Sequence, residues 1–299
     1  MRHLQLTMVV LLALLNSTAL LADEIAVMTT DDLPGLGNPA ADLRITYGDD
    51  EFQFVNLYLP QGDGPHPVMI FIHGGCWLSE FDITYTGKLA KALANDGIAV
   101  WNIEYRRVGN TGGGWPGTFN DIATAADLLY KVADKYSLDS SRVIASGHSA
   151  GGHLALWLGA RHKFKKNSQF AMANPVQLQG ILALAAAPDL AMLHEKNVCD
   201  GVIDKLMGGS PEAQAERYAL GSASELVPLG TSQLLVIGDH DKNWRPVGER
   251  YYAAANAAGD DVEIIRAKES GHFEMIDPDS TSWKLVRDAA FKLLNIIPR

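Results

Sequence analysis

Cysteine is scarce in this sequence, which contains only Cys76 and Cys199 among its 299 residues. No C-x-x-C pair occurs, and two thiols so far apart in the chain cannot form a disulfide framework or a four-cysteine zinc site. At most one bridge can form between them. Nothing in the sequence places their Cα atoms within the separation that a disulfide requires, so two unpaired thiols are the favoured expectation.

Basic residues are also in short supply, with 25 Lys and Arg against 35 Asp and Glu and a formal net charge of -10. Such a balance disfavours a nucleic-acid partner, because affinity for phosphate backbones depends on positive charge. The chain is 47% hydrophobic and 20% charged, values that exclude disordered, collagen-like and coiled-coil proteins. Repeats and low-complexity tracts are missing as well. One globular domain is therefore expected.

The N-terminus lacks an apolar run long enough for a membrane span, which needs roughly 18 consecutive apolar residues. Arg2 and His3 precede a shorter apolar run, and a stretch of small residues closes at Ala22. This order is typical of a secretory signal peptide. The sequence thus predicts a signal peptide at residues 1–22, no stable membrane span after its removal, and export of residues 23–299 to the periplasm or the medium.

The remainder of the chain alternates between short apolar runs and longer segments of helical periodicity. Strands are predicted at residues 43–48, 52–59, 68–72, 98–103, 143–145, 181–185, 234–237 and 262–265, and helices at 85–95, 119–136, 150–161, 246–258 and 282–294. Continuous apolar strands are typical of a sheet buried on both faces. The order predicts an α/β fold with a doubly wound, mostly parallel sheet, whose ligand crevice lies beyond the carboxyl ends of the strands.

The most informative motif, G-H-S-A-G, begins at Gly147 between a predicted strand and a predicted helix. It matches G-x-S-x-G, in which glycines permit a tight strand-to-helix turn and leave the serine exposed as a nucleophile. Ser149 is therefore the candidate nucleophile, and the N–H of Ala150 at the helix start is a candidate oxyanion donor. The alternative is that Ser149 merely caps the helix.

A second motif, H-G-G-C-W, runs from His73 to Trp77 and directly follows another predicted strand. Adjacent glycines let backbone N–H groups approach a substrate oxygen closely, and acyl transfer needs such donors because negative charge develops on that oxygen. The N–H groups of Gly75 and Cys76, with that of Ala150, are predicted to form an oxyanion hole. His73 is expected to shape the loop.

A serine nucleophile needs a base and an acid that orients the base. In the chain order serine, acid, histidine, these residues are expected at later strand ends. The strand at 234–237 leads into Asp239 and Asp241, of which Asp241 is favoured because it lies far enough past the turn to reach across the sheet edge. The last strand leads to His272, the predicted base, with His240 as its only serious rival.

The residues around this site leave the substrate open. Residues 188–227 are long for a crossover and are interpreted either as a small cap over the acyl pocket or as a linking helix with one core-facing stripe. Trp77, Trp115 and Trp244 all follow strand ends and are candidates to line the pocket.

On these motifs the chain resembles the α/β-hydrolases of the esterase/lipase type with an H-G-G-x-W oxyanion loop. It is similar to the carboxylesterases and to the kynurenine formamidase-like (arylformamidase) branch over nearly the whole chain from His73 to His272. The resemblance implies a Ser149–His272–Asp241 triad, hydrolysis of a small-molecule ester through an acyl-enzyme, and no metal or organic cofactor. An N-formylkynurenine-like amide substrate and a non-catalytic binding protein on the same fold remain alternatives.

Overall fold

A computed structural model describes residues 25–165, 168–171 and 174–296. The predicted signal peptide at residues 1–22 lies outside the described residues and stays a prediction. Within the described ranges, none of the helices combines the length and the apolar character needed to cross a membrane.

The described residues form eight strands and eight α-helices, joined by loops and short 3-10 turns. The strands are β1 (Leu43–Thr46), β2 (Phe54–Tyr58), β3 (His66–Ile72), β4 (Ala99–Ile103), β5 (Leu138–His148), β6 (Gly180–Leu184), β7 (Ser232–Gly238) and β8 (Val262–Ala267). The helices are α1 (Gly87–Asn95), α2 (Gly117–Val132), α3 (Ala150–Gly159), α4 (Leu190–Glu195), α5 (Val202–Met207), α6 (Ala215–Gly221), α7 (Arg245–Ala257) and α8 (Trp283–Leu294).

All eight strands pair in one sheet with the order β1-β2-β4-β3-β5-β6-β7-β8. The pairs β1–β2 and β2–β4 are antiparallel, whereas β3 to β8 run parallel to one another. The predicted doubly wound, mostly parallel sheet is confirmed, and its strand order and helices have the α/β-hydrolase arrangement. Because β3, β5, β7 and β8 are parallel, the loops that follow them emerge at the same edge.

The central strands are buried on both faces, as their continuous apolar sequences predict. In β3, Val68, Ile70 and Ile72 face one hydrophobic cluster, while Met69 and Phe71 face the other. This alternation follows from the two-residue period of a strand. Helices α2, α3 and α7 cover the first cluster, and α1 and α8 cover the second.

Strand β5 begins at Leu138, earlier than the predicted start at residue 143. Its first half contains the polar residues Asp139, Ser140, Ser141 and Arg142, which lie outside the predicted strand because strands favour apolar and β-branched residues. The pairing of Leu138 with His66 on β3 extends the strand, so a partner in space overrides the local preference.

Residues 188–227 contain three short helices, α4, α5 and α6. Val202, Ile203, Leu206 and Met207 of α5 are buried in the same cluster as the sheet. The turn between α4 and α5 lies outside this core, next to the loop that follows β3. There it contributes to the wall of a cavity at the sheet edge.

Candidate active site

Ser149 lies at the junction of β5 and α3 in a strained backbone conformation, with φ 55° and ψ −117°. The turn is tight, because a Cβ atom at Gly147 would lie 2.3 Å from the carbonyl oxygen of Gly151, and one at Gly151 would lie 2.0 Å from that of Ile72. Only glycine fits at either position. The Ser149 side chain makes no capping hydrogen bond to α3, which argues against the capping alternative.

His272 and Asp241 come together from the loops after β8 and β7. The His272 Nδ1 atom lies 2.6 Å from Asp241 Oδ2, and their side chains are only 12% and 4% exposed. Asp241 Oδ1 accepts a hydrogen bond of 3.1 Å from the backbone N–H of Trp244, whose ring stacks on the imidazole with centroids 5.2 Å apart. Asp239, the rejected acid, instead forms an ion pair with Arg266, with 3.3 Å between Oδ1 and Nη1.

His148, next to Ser149, supports the loop that carries His272. Its Nε2–H donates a hydrogen bond of 2.9 Å to the His272 carbonyl oxygen, and the two rings lie 4.7 Å apart. Burial, reinforced by the charge that His272 can carry, holds the pKa of His148 well below its usual value. A neutral His148 can therefore make this bond without competing for the proton of Ser149. Sequence reasoning missed this role, for which the only signal was the position of His148 within the motif.

The loop after β3 keeps an unusual backbone over Gly75, Cys76 and Trp77, with φ values of 91°, 54° and 55°. The N–H of Gly74 donates a hydrogen bond of 2.6 Å to the Tyr85 hydroxyl. Within the described part of the chain, the N–H groups of Gly75 and Cys76 donate no hydrogen bond. Both residues line the same cavity as Ser149.

A buried charge cluster lies beneath this loop. His73 contacts the Gly74 carbonyl oxygen through Nδ1 at 2.9 Å and Glu104 Oε1 through Nε2 at 3.0 Å, as expected of a residue that shapes the loop. Glu104 also bonds to Arg107 and accepts a hydrogen bond from the backbone N–H of Ile83. Burial alone would raise the pKa of Glu104, but His73 and Arg107 hold it below its usual range. Sequence reasoning missed Glu104, because two of its partners, His73 and Ile83, are more than 20 residues away in the chain.

The expectation of two unpaired thiols is wrong. Cys76 and Cys199 form a disulfide with Cα atoms 6.3 Å apart, across a sequence separation of 123 residues. The turn between α4 and α5 brings Cys199 next to the loop that follows β3, a contact that depends on the fold of the whole crossover. No pattern in the local sequence encodes it.

A cavity of about 720 Å³ contains these groups at the sheet edge. Its walls include Gly75, Cys76, Ser149, Asp241, Trp244 and His272, together with Met28, Thr29, Thr30 and Leu33 near the N-terminus and Lys196, Val198 and Cys199 near the disulfide. Of the three candidate tryptophans, only Trp244 lines it. Trp77 is fully buried against His153, and Trp115 packs against Phe119.

No metal site accompanies this cavity: among the described residues, no group of three or more His, Cys, Asp or Glu side chains could hold an ion. The arrangement instead offers a hydroxyl, an imidazole bonded to a carboxylate, and unpaired backbone amides. These groups suit nucleophilic attack on a carbonyl carbon.

The chain is similar to several esterases and to a formamidase. Neutral cholesterol ester hydrolase 1 of Rattus norvegicus is 32% identical over 148 residues, which are 46% of this chain and 35% of that protein. Kynurenine formamidase of Danio rerio is 26% identical over 254 residues, which are 79% of this chain and 75% of that protein. The chain therefore spans about a third of the rat relative and three quarters of the zebrafish one.

Esterase B of Lactobacillus rhamnosis has the same fold, with a TM-score of 0.72 at 21% sequence identity and 84% of each chain covered. The BD-FAE family model matches residues 55–246, nearly two thirds of the chain, and this span includes the loop that follows β3, Ser149 and Asp241. The protein therefore belongs to the BD-FAE family and has the α/β-hydrolase fold.

Proposed function

We propose that this protein is a serine hydrolase that cleaves carboxylic esters of small molecules with Ser149, His272 and Asp241. One observation carries the proposal. Ser149, held in a strained elbow, opens into the same cavity as His272, and His272 is bonded to the buried carboxylate of Asp241. A serine that only capped a helix would need neither a strained backbone nor a histidine–carboxylate pair in the same cavity.

The first half-reaction forms an acyl-enzyme. His272 accepts the hydroxyl proton as Ser149 Oγ attacks the carbonyl carbon of the ester, and Asp241 stabilises the imidazolium. The tetrahedral intermediate then collapses, and the alcohol leaves with the proton from His272. Water attacks the acyl group in the second half-reaction with the same base, which releases the carboxylic acid and restores the serine.

Negative charge develops on the carbonyl oxygen in both half-reactions. The N–H groups of Gly75, Cys76 and Ala150 are proposed to donate hydrogen bonds to it. Removal of one such donor costs on the order of 3 kcal/mol of transition-state stabilisation. The assignment is supported by the position of Gly75 and Cys76, which line the cavity with Ser149 and whose N–H groups donate no hydrogen bond within the described residues.

The proposal is tested by hydrolysis of short-chain p-nitrophenyl esters beside N-formylkynurenine. Wild type, Ser149→Ala and the control Ser141→Ala are compared, since Ser141 is an exposed serine at the start of the same strand. Wild type and control should hydrolyse esters while Ser149→Ala does not. If wild type and Ser149→Ala are equally inactive on a broad panel of esters and amides, the hydrolase proposal fails and the alternative of a non-catalytic binding protein is favoured. A preference for N-formylkynurenine would establish the formamidase alternative.

We also propose that the protein is exported and that residues 1–22 are removed. The disulfide between Cys76 and Cys199 supports export, since disulfides persist mainly in oxidising compartments. N-terminal sequencing of protein from the extracytoplasmic fraction should begin at Asp23. The proposal would be contradicted if the protein were found only in the cytoplasm and its cysteines could be alkylated without prior reduction.

A further inference from the structure

The N-terminal strap, defined as residues 27–36, contributes a wall of the cavity that contains Ser149. Met28, Thr29, Thr30 and Leu33 all line this cavity. The strap contains a short 3-10 helix, Thr30–Leu36, in which only Leu33 and Leu36 are buried. These two leucines pack into the same cluster as Tyr85, which itself lines the cavity. Strap and cavity are thus in direct contact, although the strap precedes the first strand of the sheet.

Glu274 joins the strap to the loop that carries His272. Its Oε1 atom accepts a hydrogen bond of 2.6 Å from the N–H of Met28, and its Oε2 atom accepts one of 2.8 Å from the N–H of Gly271. The side chain is buried, with Glu274 only 7% exposed. Among the described residues no cation forms an ion pair with it. Each carboxylate oxygen is therefore bonded to the backbone of a different segment.

A second contact joins the same two segments. A Cβ atom at Gly271 would lie 2.9 Å from the Cβ of Val27, closer than real side chains approach each other. The strap therefore packs directly on the residue before His272. The backbone of the His272 loop and the backbone of the strap are in contact both through Glu274 and through Val27.

A buried carboxylate is costly unless both of its oxygens are hydrogen-bonded. Glu274 meets that condition only while the strap lies against the His272 loop. If the strap lifted away, one oxygen and the N–H of Met28 would lose their partner. The carboxylate thus favours the arrangement in which the strap closes one side of the cavity.

We propose that Glu274 is a positioning residue that clamps the N-terminal strap to the His272 loop, and that the clamped strap determines which acyl groups the cavity accepts. This inference rests on the proposed function of Ser149, His272 and Asp241. It assigns a role in substrate selection to a segment outside the residues that match the family model.

The test uses the full chain and measures two properties. Hydrogen exchange reports how firmly the strap is held, and the ratio of kcat/KM for p-nitrophenyl octanoate to that for p-nitrophenyl acetate reports acyl selection. The variants are Glu274→Ala, Glu274→Gln and Met28→Ala, and the control is Glu51→Gln at an exposed turn. Gln retains one acceptor oxygen, so Glu274→Gln remains informative if the alanine variant does not fold.

With Glu274→Ala, amides of the strap should exchange at least tenfold faster, kcat on acetate should fall about tenfold, and the octanoate-to-acetate ratio should change several-fold. Glu274→Gln should show the same changes to a smaller degree. Met28→Ala keeps the backbone N–H that bonds to Glu274 but shortens a side chain that lines the cavity, so strap exchange should match wild type while the ratio changes. Glu51→Gln should match wild type in both measurements.

Unchanged strap exchange in both Glu274 variants would overturn the clamp, and an unchanged ratio in Met28→Ala would overturn the role in selection. A loss of kcat in the Glu274 variants with strap exchange and ratio both unchanged would also count against the proposal, since it indicates a merely structural residue. If wild type proves as inert as Ser149→Ala, the proposed function fails, whereas hydrogen exchange still decides whether the clamp exists.

Discussion

Asp239 and Asp241 are two carboxylates in one loop with different environments. Asp241 is nearly buried and bonded to His272, whereas Asp239 pairs with Arg266 at the surface. A carboxylate that holds the imidazole in one tautomer acts on the transition state more than on substrate binding. The sequence favoured Asp241 because of its position after the turn, and Asp241 is the carboxylate that the fold buries.

This contrast predicts opposite results for two isosteric substitutions. Asp241→Asn should lower kcat on an ester about 10³- to 10⁴-fold with little change in KM, because the amide no longer stabilises the imidazolium. Asp239→Asn should keep kcat within a factor of two. Steady-state kinetics on p-nitrophenyl butyrate measures both variants, and a similar loss in the two would exclude Asp241 from the proposed role.

His153 predicts a pH dependence of stability. It is fully buried, its Nε2–H donates a hydrogen bond of 2.7 Å to the Gly221 carbonyl oxygen, and burial lowers its pKa to about 4. Because the unfolded chain binds the proton more readily, the neutral histidine contributes stability that is fully present above about pH 6.5 and is lost as the pH falls towards 4. The contribution lost by pH 4 is about 3 kcal/mol.

Urea unfolding at pH 7 and pH 4 measures this effect. The free energy of unfolding should fall less between the two pH values in His153→Gln than in wild type, by about 3 kcal/mol. The exposed His162 provides the control, and His162→Gln should show the wild-type pH dependence. An identical pH dependence in His153→Gln and wild type would show that His153 does not titrate in this way.

At the scale of elements, the junction between β5 and α3 depends on backbone contact. The helix start passes so close to the end of β3 that a Cβ atom at Gly151 would lie 2.0 Å from the Ile72 carbonyl oxygen. Backbone cannot give way as a flexible side chain can. The two glycines therefore allow the strained Ser149 to exist between a strand and a helix that are both rigid.

Gly151→Ala should accordingly destabilise the whole junction. We expect a loss of soluble protein, or a free energy of unfolding lower by several kcal/mol, because a main-chain overlap forces the helix away from the sheet. Gly35→Ala is the matched control, since a Cβ atom at Gly35 would meet nothing within 4 Å. Chemical denaturation of the two variants compares them, and a stable Gly151→Ala would contradict the tight turn.

At the scale of the whole molecule, one disulfide links Cys76 to Cys199 across two distant parts of the chain. The loop that it closes is long, so its removal should cost about 4 to 5 kcal/mol in the chain-entropy model. It also joins the loop that follows β3 to the crossover between β6 and β7. The same bond thus contributes both to global stability and to the geometry of the cavity.

Cys199→Ser and the double variant with Cys76→Ser should both unfold at lower urea concentration than wild type and hydrolyse esters more slowly. Dithiothreitol should lower the activity and stability of wild type towards those of the double variant, and leave the double variant unchanged. Activity and unfolding of each protein, measured with and without the reductant, test this expectation. A wild type insensitive to reductant, after complete reduction is verified by alkylation, would contradict the role of the disulfide.

Much of the architecture follows from local sequence. Continuous apolar runs predicted the buried strands, because a strand covered on both faces has no face exposed to solvent and so needs no polar side chains. Glycine spacing predicted the elbow at Gly147 and Gly151, since the steric demand of a tight turn acts on residues close in the chain. The early start of β5 was missed, because its polar residues are ordered by a neighbouring strand.

The identities of Ser149, Asp241 and His272 as candidates came from their positions after strands, and this was possible because parallel strands deliver their carboxyl ends to one edge. The disulfide, the support that His148 and Glu104 give, and the strap held by Glu274 were decided only in three dimensions. These contacts join residues that are tens to hundreds of positions apart, and no local periodicity records which distant segments meet. Tertiary packing decides which distant segments meet. A polar group that becomes buried then needs a hydrogen-bond partner, and that partner comes from the segment packed against it.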